Sequence, residues 1–174
     1  INKKNQILDA ALQVFVKKGY SETRMDDIVH GSGMSKGAIY HHYSSKRDLF
    51  LELIDFWETY CFPNILDKKY KNKTASGTLR EIVKDIIKTF KQKKYVFLAE
   101  LEIWSLANHD EGIRDKTRSL YMNLLKLFSN IIADGIERGE FKNINIHIAS
   151  LSIMTSLQGV IWFSIFEKSE LSAE

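Results

Sequence analysis

Residues 36–42 bring together side chains that could contact a nucleic acid, in the order Lys-Gly-Ala-Ile-Tyr-His-His. In a helix, Ile39 and Tyr43 would share one face and pack against a core, which leaves the other side chains outward. The hydrogen-bond donors of lysine, tyrosine and histidine suit phosphate oxygens. Small side chains suit contacts with base edges and let the helix backbone come close to the duplex. We predict phosphate contacts from Lys36, Tyr40 and His42, base-edge contacts from Ala38 and His41, and close approach at Gly37 and Ala38.

A second short helix and a tight turn are predicted just before this segment. Thr23 and Asp26 have the spacing of a capping box, which indicates that a helix begins near Arg24. Gly31 and Gly33 tolerate the backbone angles of a tight turn, so we expect this helix to end between residues 30 and 33. Helix, turn and helix in this order predict a helix-turn-helix.

Two serines mark the starts of the helices that follow. Ser35 is a favourable N-cap for residues 36–42, and Ser45 with Asp48 repeats the capping-box spacing, so that a third helix begins near Lys46. Lys46 would add a phosphate contact at the positive end of that helix. The hydroxyls of Thr23 and Ser35 cap helices in this interpretation and could also donate to phosphate.

Other interpretations of the same residues are weaker. Adjacent histidines on a helix point about 100° apart, and His41 and His42 have no Cys or carboxylate partner at a usable spacing. Tyr40 could instead be a core aromatic, since it neighbours Ile39 and Tyr43. His109 with Asp110 and Glu111 could indicate a metal site, but three such residues in a row in a loop are common. We therefore predict no metal and no cofactor.

The segment from residue 19 to residue 50 resembles the DNA-binding region of the tetracycline-repressor (TetR) family of bacterial transcriptional regulators. The matching features are a Gly-aromatic pair, a capping Thr, a Ser-Lys-Gly start of the recognition helix, an aromatic-rich end and a Ser-Lys entry to the next helix. They stand here as Gly19-Tyr20, Thr23, Ser35-Lys36-Gly37, Tyr40-His41-His42-Tyr43 and Ser45-Lys46.

The resemblance implies a two-fold homodimer that binds a near-palindromic double-stranded DNA operator. Its recognition helices would lie roughly 34–36 Å apart, or somewhat more, on successive major grooves. The resemblance further implies a repressor that is released when a small-molecule effector binds the C-terminal part. The single cysteine of the chain suits a reducing cytoplasm. Of the charged residues, eight Lys/Arg and five Asp/Glu lie in residues 1–50, so the whole net charge of +3 is concentrated there.

The sequence as a whole predicts an all-α protein of about eight helices. One proline, few glycine runs and the absence of alternating strand patterns argue against a sheet, and the lone Cys61 excludes an internal disulfide. We expect an N-terminal three-helix domain at residues 1–47 and a larger helical effector-binding and dimerisation domain at residues 48–174. The predicted helices are 3–18, 24–30, 36–42, 46–61, 78–92, 95–107, 113–138 and 145–166.

Aromatic side chains of the C-terminal part could line a pocket for a hydrophobic or aromatic effector. A carboxylate in the apolar stretch 95–107 must be paired or face a cavity, and Glu100 or Glu102, with Trp104, could contact a cationic ligand. The same side chains would also serve as an ordinary helical core. The candidate effector-binding residues are Trp57, Tyr60, Phe97, Glu100, Trp104, Tyr121, Phe128, Gln158 and Trp162.

Two further segments each allow two interpretations. Residues 67–77 are lysine-rich, but without interleaved aromatic residues we favour a solvated loop over a nucleic-acid patch. Residues 148–166 contain no charge over 19 positions, which is long enough to span a bilayer. Several Ser and Thr residues and the lack of flanking basic clusters favour burial against a second subunit instead. We predict no membrane partner.

Other functional classes find little support in the sequence. It contains no phosphate loop, nucleophile motif, metal-ligand set or separated carboxylate pair on one face, so we predict that the chain is not an enzyme. The main alternative to a DNA-binding regulator is a helical adaptor without a DNA partner. A regulator should bind a DNA duplex with a strong dependence on salt, and an adaptor should not.

Overall fold

The computed structural model describes residues 3–61 and 74–166, and the elements in these ranges are all helices. This confirms the predicted all-α class. The helices are α1 (Lys3–Lys18), α2 (Met25–Ser32), α3 (Lys36–His42), α4 (Lys46–Cys61), α5 (Ala75–Gln92), α6 (Lys94–Ala107), α7 (Glu111–Glu137) and α8 (Ile146–Phe166).

The chain divides into two compact units. The first comprises residues 1–60 and 95–118, and the second comprises residues 61–94 and 119–174. This division follows contacts between residues, so it is distinct from the functional boundary predicted between residues 47 and 48, which stays a prediction.

The first unit is built on the apolar stripe of α1. Ile7, Ala11 and Leu12 are fully buried there, because apolar residues three and four apart share one helical face. At the end of α1 the rings of Phe15, Tyr20 and Phe50 form a cluster with centroid distances of 4.8–5.6 Å. This cluster joins the turn after α1 to the start of α4.

The start of α2 differs from the prediction in one respect. The N-cap residue is Arg24, and the Asp27 carboxylate accepts the Arg24 N–H at 2.8 Å. Thr23 is not the cap, because its hydroxyl donates to the Gly19 carbonyl at 2.7 Å and its side chain is only 1% exposed. The predicted start of the helix near Arg24 is correct, but the predicted capping pair Thr23 and Asp26 is wrong by one residue at each position, since Arg24 and Asp27 form the cap.

The two glycines of the predicted turn have different roles. Gly33 adopts the left-handed conformation (φ 65°) just after α2, as a tight turn requires. Gly31 lies inside α2, and a Cβ there would come within 2.9 Å of Val14 Cγ2. Its small size thus permits close packing of α2 on α1, so the prediction that Gly31 closes the turn is wrong.

Helix α5 begins three residues earlier than predicted. Thr74 is its N-cap, with its hydroxyl accepting the Gly77 N–H at 3.0 Å, and the Glu140 carboxylate accepts the Ala75 N–H at 3.0 Å. Both acceptors satisfy amide groups that a helix start leaves without partners. Most of the predicted loop 67–77 lies outside the described residues.

Helix α8, in the second unit, carries an unusually exposed apolar face. Ile148, Val160 and Phe163 are 61%, 62% and 72% exposed. Within the described ranges, α8 is the helix long and apolar enough to cross a membrane, over residues 146–165 with mean hydropathy 1.5. Length and composition alone are weak evidence for insertion, since a helix at a subunit interface has the same properties.

Candidate nucleic-acid interface

Helix α3 has an exposed polar face, and buried side chains on its other face hold it in place. Ile39 is fully buried and Tyr43 is 3% exposed, and Ser35 caps the helix by accepting the Ala38 N–H at 3.3 Å. These contacts fix the orientation of α3 as predicted. Of the residues predicted to contact DNA, those exposed on or next to α3 are Ser35, Lys36, Gly37, Tyr40, His41 and His42, and Ala38 is partly exposed.

The exposed face of α3 is organised around Lys36. The Nζ of Lys36 lies 2.8 Å from Asp26 Oδ1, on the first turn of α2, and 5.6 Å from the centre of the Tyr40 ring. The carboxylate of Asp26 raises the pKa of Lys36 through a hydrogen bond and through charge. The histidine rings of His41 and His42 follow at the end of α3, with centroids 5.2 Å apart.

The ammonium group of Lys46 makes its hydrogen bonds within the protein. Its Nζ donates to the carbonyls of Tyr20 and Thr23 at 2.6 and 2.8 Å, more weakly to that of Ser21 at 3.3 Å, and lies 4.3 Å from the centre of the Tyr20 ring. Three carbonyl acceptors satisfy all three donors of an ammonium group. Lys46 therefore joins the start of α4 to the segment between α1 and α2, and a phosphate contact would compete with these bonds.

The Thr23 hydroxyl is buried and donates to the Gly19 carbonyl, so it does not support a direct contact with phosphate. The set of DNA contacts as a whole stays a prediction. Among the described residues, no group of three or more His, Cys, Asp or Glu is arranged to hold a metal ion.

Sequence reasoning missed two links that attach α6 and the start of α7 to this helix-turn-helix. Arg47 forms two hydrogen bonds with the Asp110 carboxylate, at 2.7 and 2.9 Å, and Glu102 accepts the Tyr20 N–H at 3.2 Å. Asp110 also accepts the Ile113 N–H at 3.0 Å at the start of α7. An Asp just before a helix is a recognisable cap signal, but nothing local identifies Arg47 as its partner.

The candidate effector residues are distributed over both units. Trp57, Phe97, Glu100 and Trp104 belong to the first unit, whereas Tyr121, Phe128, Gln158 and Trp162 belong to the second; Tyr60 ends the first segment of the first unit. The Trp57 indole donates to the Val96 carbonyl at 2.7 Å, and the Trp104 indole donates to the buried Glu100 carboxylate at 3.2 Å. Because the Glu100 carboxylate accepts this hydrogen bond, the free-energy cost of burying it in an apolar helix is reduced.

Each of the two units has a groove among its described residues. The groove of the first unit, about 700 Å³, is lined by Asn5, Leu8, Asp48, Leu51, Glu52, Asp55, Phe56, Thr59 and Lys116, none of them a candidate effector residue. The groove of the second unit, about 440 Å³, has Phe128 among its lining residues, with Leu79, Arg80, Val83, Lys84, Ile153 and Leu157.

Comparison with known proteins places this geometry in a family. Residues 7–53, which span most of α1 to the middle of α4, match the family described as bacterial regulatory proteins, tetR family. The transcriptional regulator QacR of Staphylococcus aureus is 24% identical to this chain over 178 residues, which cover 94% of this chain and 87% of QacR.

Solved structures share the fold over nearly the whole chain. The transcriptional regulator FadR from Bacillus subtilis, determined in complex with stearoyl-CoA, superposes with a TM-score of 0.81 at 22% identity, covering 97% of this chain and 91% of FadR. A regulator from Saccharomonospora viridis in complex with choline gives a TM-score of 0.83 at 21% identity, covering 97% and 88%.

The family match, the curated relative and the helix-turn-helix geometry agree with one another. The TetR resemblance seen in the sequence is thus confirmed: residues 7–53 carry a domain of the tetR family of bacterial regulatory proteins, and the relatives that the chain matches are named as transcriptional regulators, in agreement with the prediction that it is not an enzyme.

Proposed function

We propose that the chain is a ligand-responsive repressor, which binds a near-palindromic operator as a homodimer and leaves it when a small molecule binds. Residues 1–47 would read DNA, and residues 48–174 would bind the effector and form the dimer. The observation that carries this proposal is the exposed polar face of α3, held in place by buried Ile39 and Tyr43. We expect the protein to act in the cytoplasm, without a membrane partner.

Dimerisation is supported by the exposed face of α8. Ile148, Ser152, Ser156, Val160 and Phe163 recur every three or four residues, so they form one stripe along the helix. All five are exposed, and the helix carries no Asp, Glu, Lys or Arg side chain. An exposed apolar stripe of this kind usually marks a contact with another protein. Serines within the stripe would allow two helices to approach closely, and a second copy of the chain presents the matching surface.

An effector is supported by the groove beside Phe128. Its volume of about 440 Å³ lies within the range of small-molecule sites, and its lining combines aliphatic side chains with the stems of Arg80 and Lys84. Two proteins with this fold were solved with small molecules bound. A hydrophobic effector is consistent with this lining, and we propose Phe128 as the candidate residue most directly involved.

Transmission of the effector signal is supported by the links within the first unit. Arg47 and Lys46 tie the start of α4 to Asp110 and to the segment after α1. Any movement of α4 or of the turn before α7 would therefore displace the elements that carry α3. Release of DNA requires only a small shift, because two recognition helices must match the spacing of two half-sites.

The proposal is tested by footprinting the purified protein on the DNA that flanks its own gene. A homodimer on a near-palindrome should protect two half-sites separated by about one helical turn, or somewhat more, related by two-fold symmetry. Protection should disappear when a hydrophobic effector from a ligand screen is added. Protection of a single unpaired half-site would contradict binding as a homodimer. Protection that persists with every ligand in the screen would contradict release by a small-molecule effector.

A further inference from the structure

Lys36 is held from two sides on the surface of the helix-turn-helix. Its ammonium contacts the carboxylate of Asp26 at 2.8 Å and lies 5.6 Å from the centre of the Tyr40 ring. The side chains of Lys36 and Asp26 are 63% and 62% exposed. The pair therefore lies on the same surface as the other residues of α3 predicted to contact DNA.

Asp26 lies in the first turn of α2, where a carboxylate interacts favourably with the helix N-terminus, but it is not the residue that caps the helix. The neighbouring Asp27 closes the start of α2 by accepting the Arg24 N–H, and it also pairs with Lys18 at 2.6 Å. Among the described residues, Lys36 is the salt-bridge partner of Asp26. An exposed ion pair adds little to stability, and a carboxylate on a DNA-binding surface weakens the attraction of phosphates. Its position beside Lys36 therefore indicates a role in binding.

The chemistry of lysine allows Asp26 and DNA to share the same ammonium. An ammonium group carries three donors, so one can remain on Asp26 while the others reach an acceptor on a duplex. A free lysine side chain is flexible and meets any nearby phosphate, whereas a held one meets only an acceptor at the matching position. Fixing it beforehand also lowers the entropy lost on binding.

We propose that Asp26 is a positioning residue for DNA recognition, which fixes the ammonium of Lys36 over Tyr40 so that it serves one register of the operator. This inference rests on the proposed DNA-reading role of α3. Without the carboxylate, Lys36 would be mobile and would no longer be neutralised. It would then gain phosphate contacts on any sequence and lose its preference for the operator.

The test uses the full chain in fluorescence anisotropy with two labelled duplexes, the bound segment from the flanking DNA and a scrambled version. Asp26→Asn should raise affinity for the scrambled duplex about fivefold and steepen its log–log salt slope by about 0.9, the value of one added phosphate contact. The ratio of operator to scrambled affinity should fall by about the same factor. Asp26→Glu, which keeps the carboxylate, should restore most of that ratio.

Glu22→Gln is the matched control, because it removes the same charge from an exposed residue for which the described residues provide no salt bridge. A purely electrostatic effect would appear equally in both variants and on both duplexes, so the affinity ratio would not change. The proposal predicts that only Asp26→Asn lowers the ratio. Equal behaviour of Asp26→Asn and Glu22→Gln would overturn it.

A double-mutant cycle shows whether Asp26 acts through Lys36. In a Lys36→Gln background, Asp26→Asn should leave the affinity ratio unchanged, because the ammonium that it positions is gone. A fall as large as in the wild-type background would refute the proposal, since Asp26 would then act on DNA by another route.

A measurement without DNA separates this inference from the proposed function. Nitrogen NMR of the lysine ammonium groups should show that Lys36 becomes more mobile in Asp26→Asn and not in Glu22→Gln. If the wild-type protein prefers no duplex, the proposed function fails, and this comparison still decides whether Asp26 holds Lys36. Unchanged mobility of Lys36 in Asp26→Asn would contradict the inference on its own.

Discussion

The guanidinium of Arg47 holds the carboxylate of Asp110 with two hydrogen bonds, at 2.7 Å from Nε and 2.9 Å from a terminal nitrogen. Arg47 lies in the first turn of α4, and Asp110 precedes α7 and accepts the Ile113 N–H. Paired, planar hydrogen bonds of this type are the most directional ion pairs in proteins. This link fixes the end of α6 to the helix-turn-helix in the first compact unit.

The link makes stability depend on pH in a definite direction. Hydrogen bonds from Arg47 lower the pKa of Asp110 from its ordinary 3.8 to about 2. A lowered folded-state pKa contributes stability above the ordinary pKa, and that contribution is lost as the pH falls toward 2. Asp110→Asn should therefore lower the melting temperature at pH 7, and the difference from the wild type should shrink between pH 4 and pH 2.

Asp134→Asn is the control for this experiment, because the same chemical change removes an exposed ion pair between Asp134 on α7 and Arg138 just beyond its end. Thermal unfolding followed by circular dichroism across that pH range measures both variants. A difference between the wild type and Asp110→Asn that stayed constant down to pH 2 would mean that the charge of Asp110 is not what stabilises the link.

Two lysines of the helix-turn-helix should respond differently to removal. Lys46→Ala loses bonds from a charged donor to three carbonyls, so we expect about 1–3 kcal/mol of lost stability together with weaker DNA binding. Lys36→Ala should weaken DNA binding with an unchanged melting temperature. Urea unfolding beside anisotropy separates these effects, and a fully stable Lys46→Ala would show that those carbonyl contacts are dispensable.

Tyr40 tests the surface of α3 directly. Its side chain is 42% exposed, so truncation removes few packing contacts. Tyr40→Ala should weaken operator binding by about 1.5–3 kcal/mol, the usual contribution of a hydrogen bond to a charged group such as phosphate. Sedimentation equilibrium should show the same dimer as in the wild type. An unchanged operator affinity would remove Tyr40 from the interface.

The exposed stripe of α8 should be required for dimerisation. Phe163→Glu introduces a charge at a side chain that is 72% exposed, so it should leave the protomer folded and convert the dimer to monomers. Ile87→Glu on α5 makes the same type of change at another exposed apolar residue and should leave the dimer intact. A Phe163→Glu protein that remained dimeric would place the interface elsewhere.

Glycine substitutions separate packing from DNA approach. A Cβ on Gly135 would collide with the Phe141 ring and lie 2.8 Å from Ala75 Cβ, so Gly135→Ala should cost about 1–3 kcal/mol of stability. A Cβ on Gly37 meets nothing within 4 Å, so Gly37→Ala should be at least as stable as the wild type and yet bind DNA more weakly. An unchanged DNA affinity of Gly37→Ala would contradict its predicted role in close approach.

Much of the fold could be predicted because helix signals are local. Ser35 and Ser45 accept hydrogen bonds from residues three positions ahead, and the spacing of Ile39 and Tyr43 identifies the buried face of α3. Each of these features depends on a few neighbouring residues. They were therefore visible in the sequence alone.

What could not be predicted depends on contacts between distant segments. Arg47 and Asp110 are 63 positions apart, and Lys46 reaches carbonyls more than 20 residues away. No periodicity or cap pattern reports such pairings, because tertiary packing decides them.

The central claim is that the exposed face of α3 reads a specific DNA sequence. The most direct measurement is fluorescence anisotropy of the purified protein with labelled duplexes tiled across the DNA that flanks its gene, at two salt concentrations, beside a scrambled duplex. The account predicts tight, salt-sensitive binding to one tile and weak binding to the rest. Equally weak binding to every tile and to the scrambled duplex would contradict specific recognition of this flanking DNA.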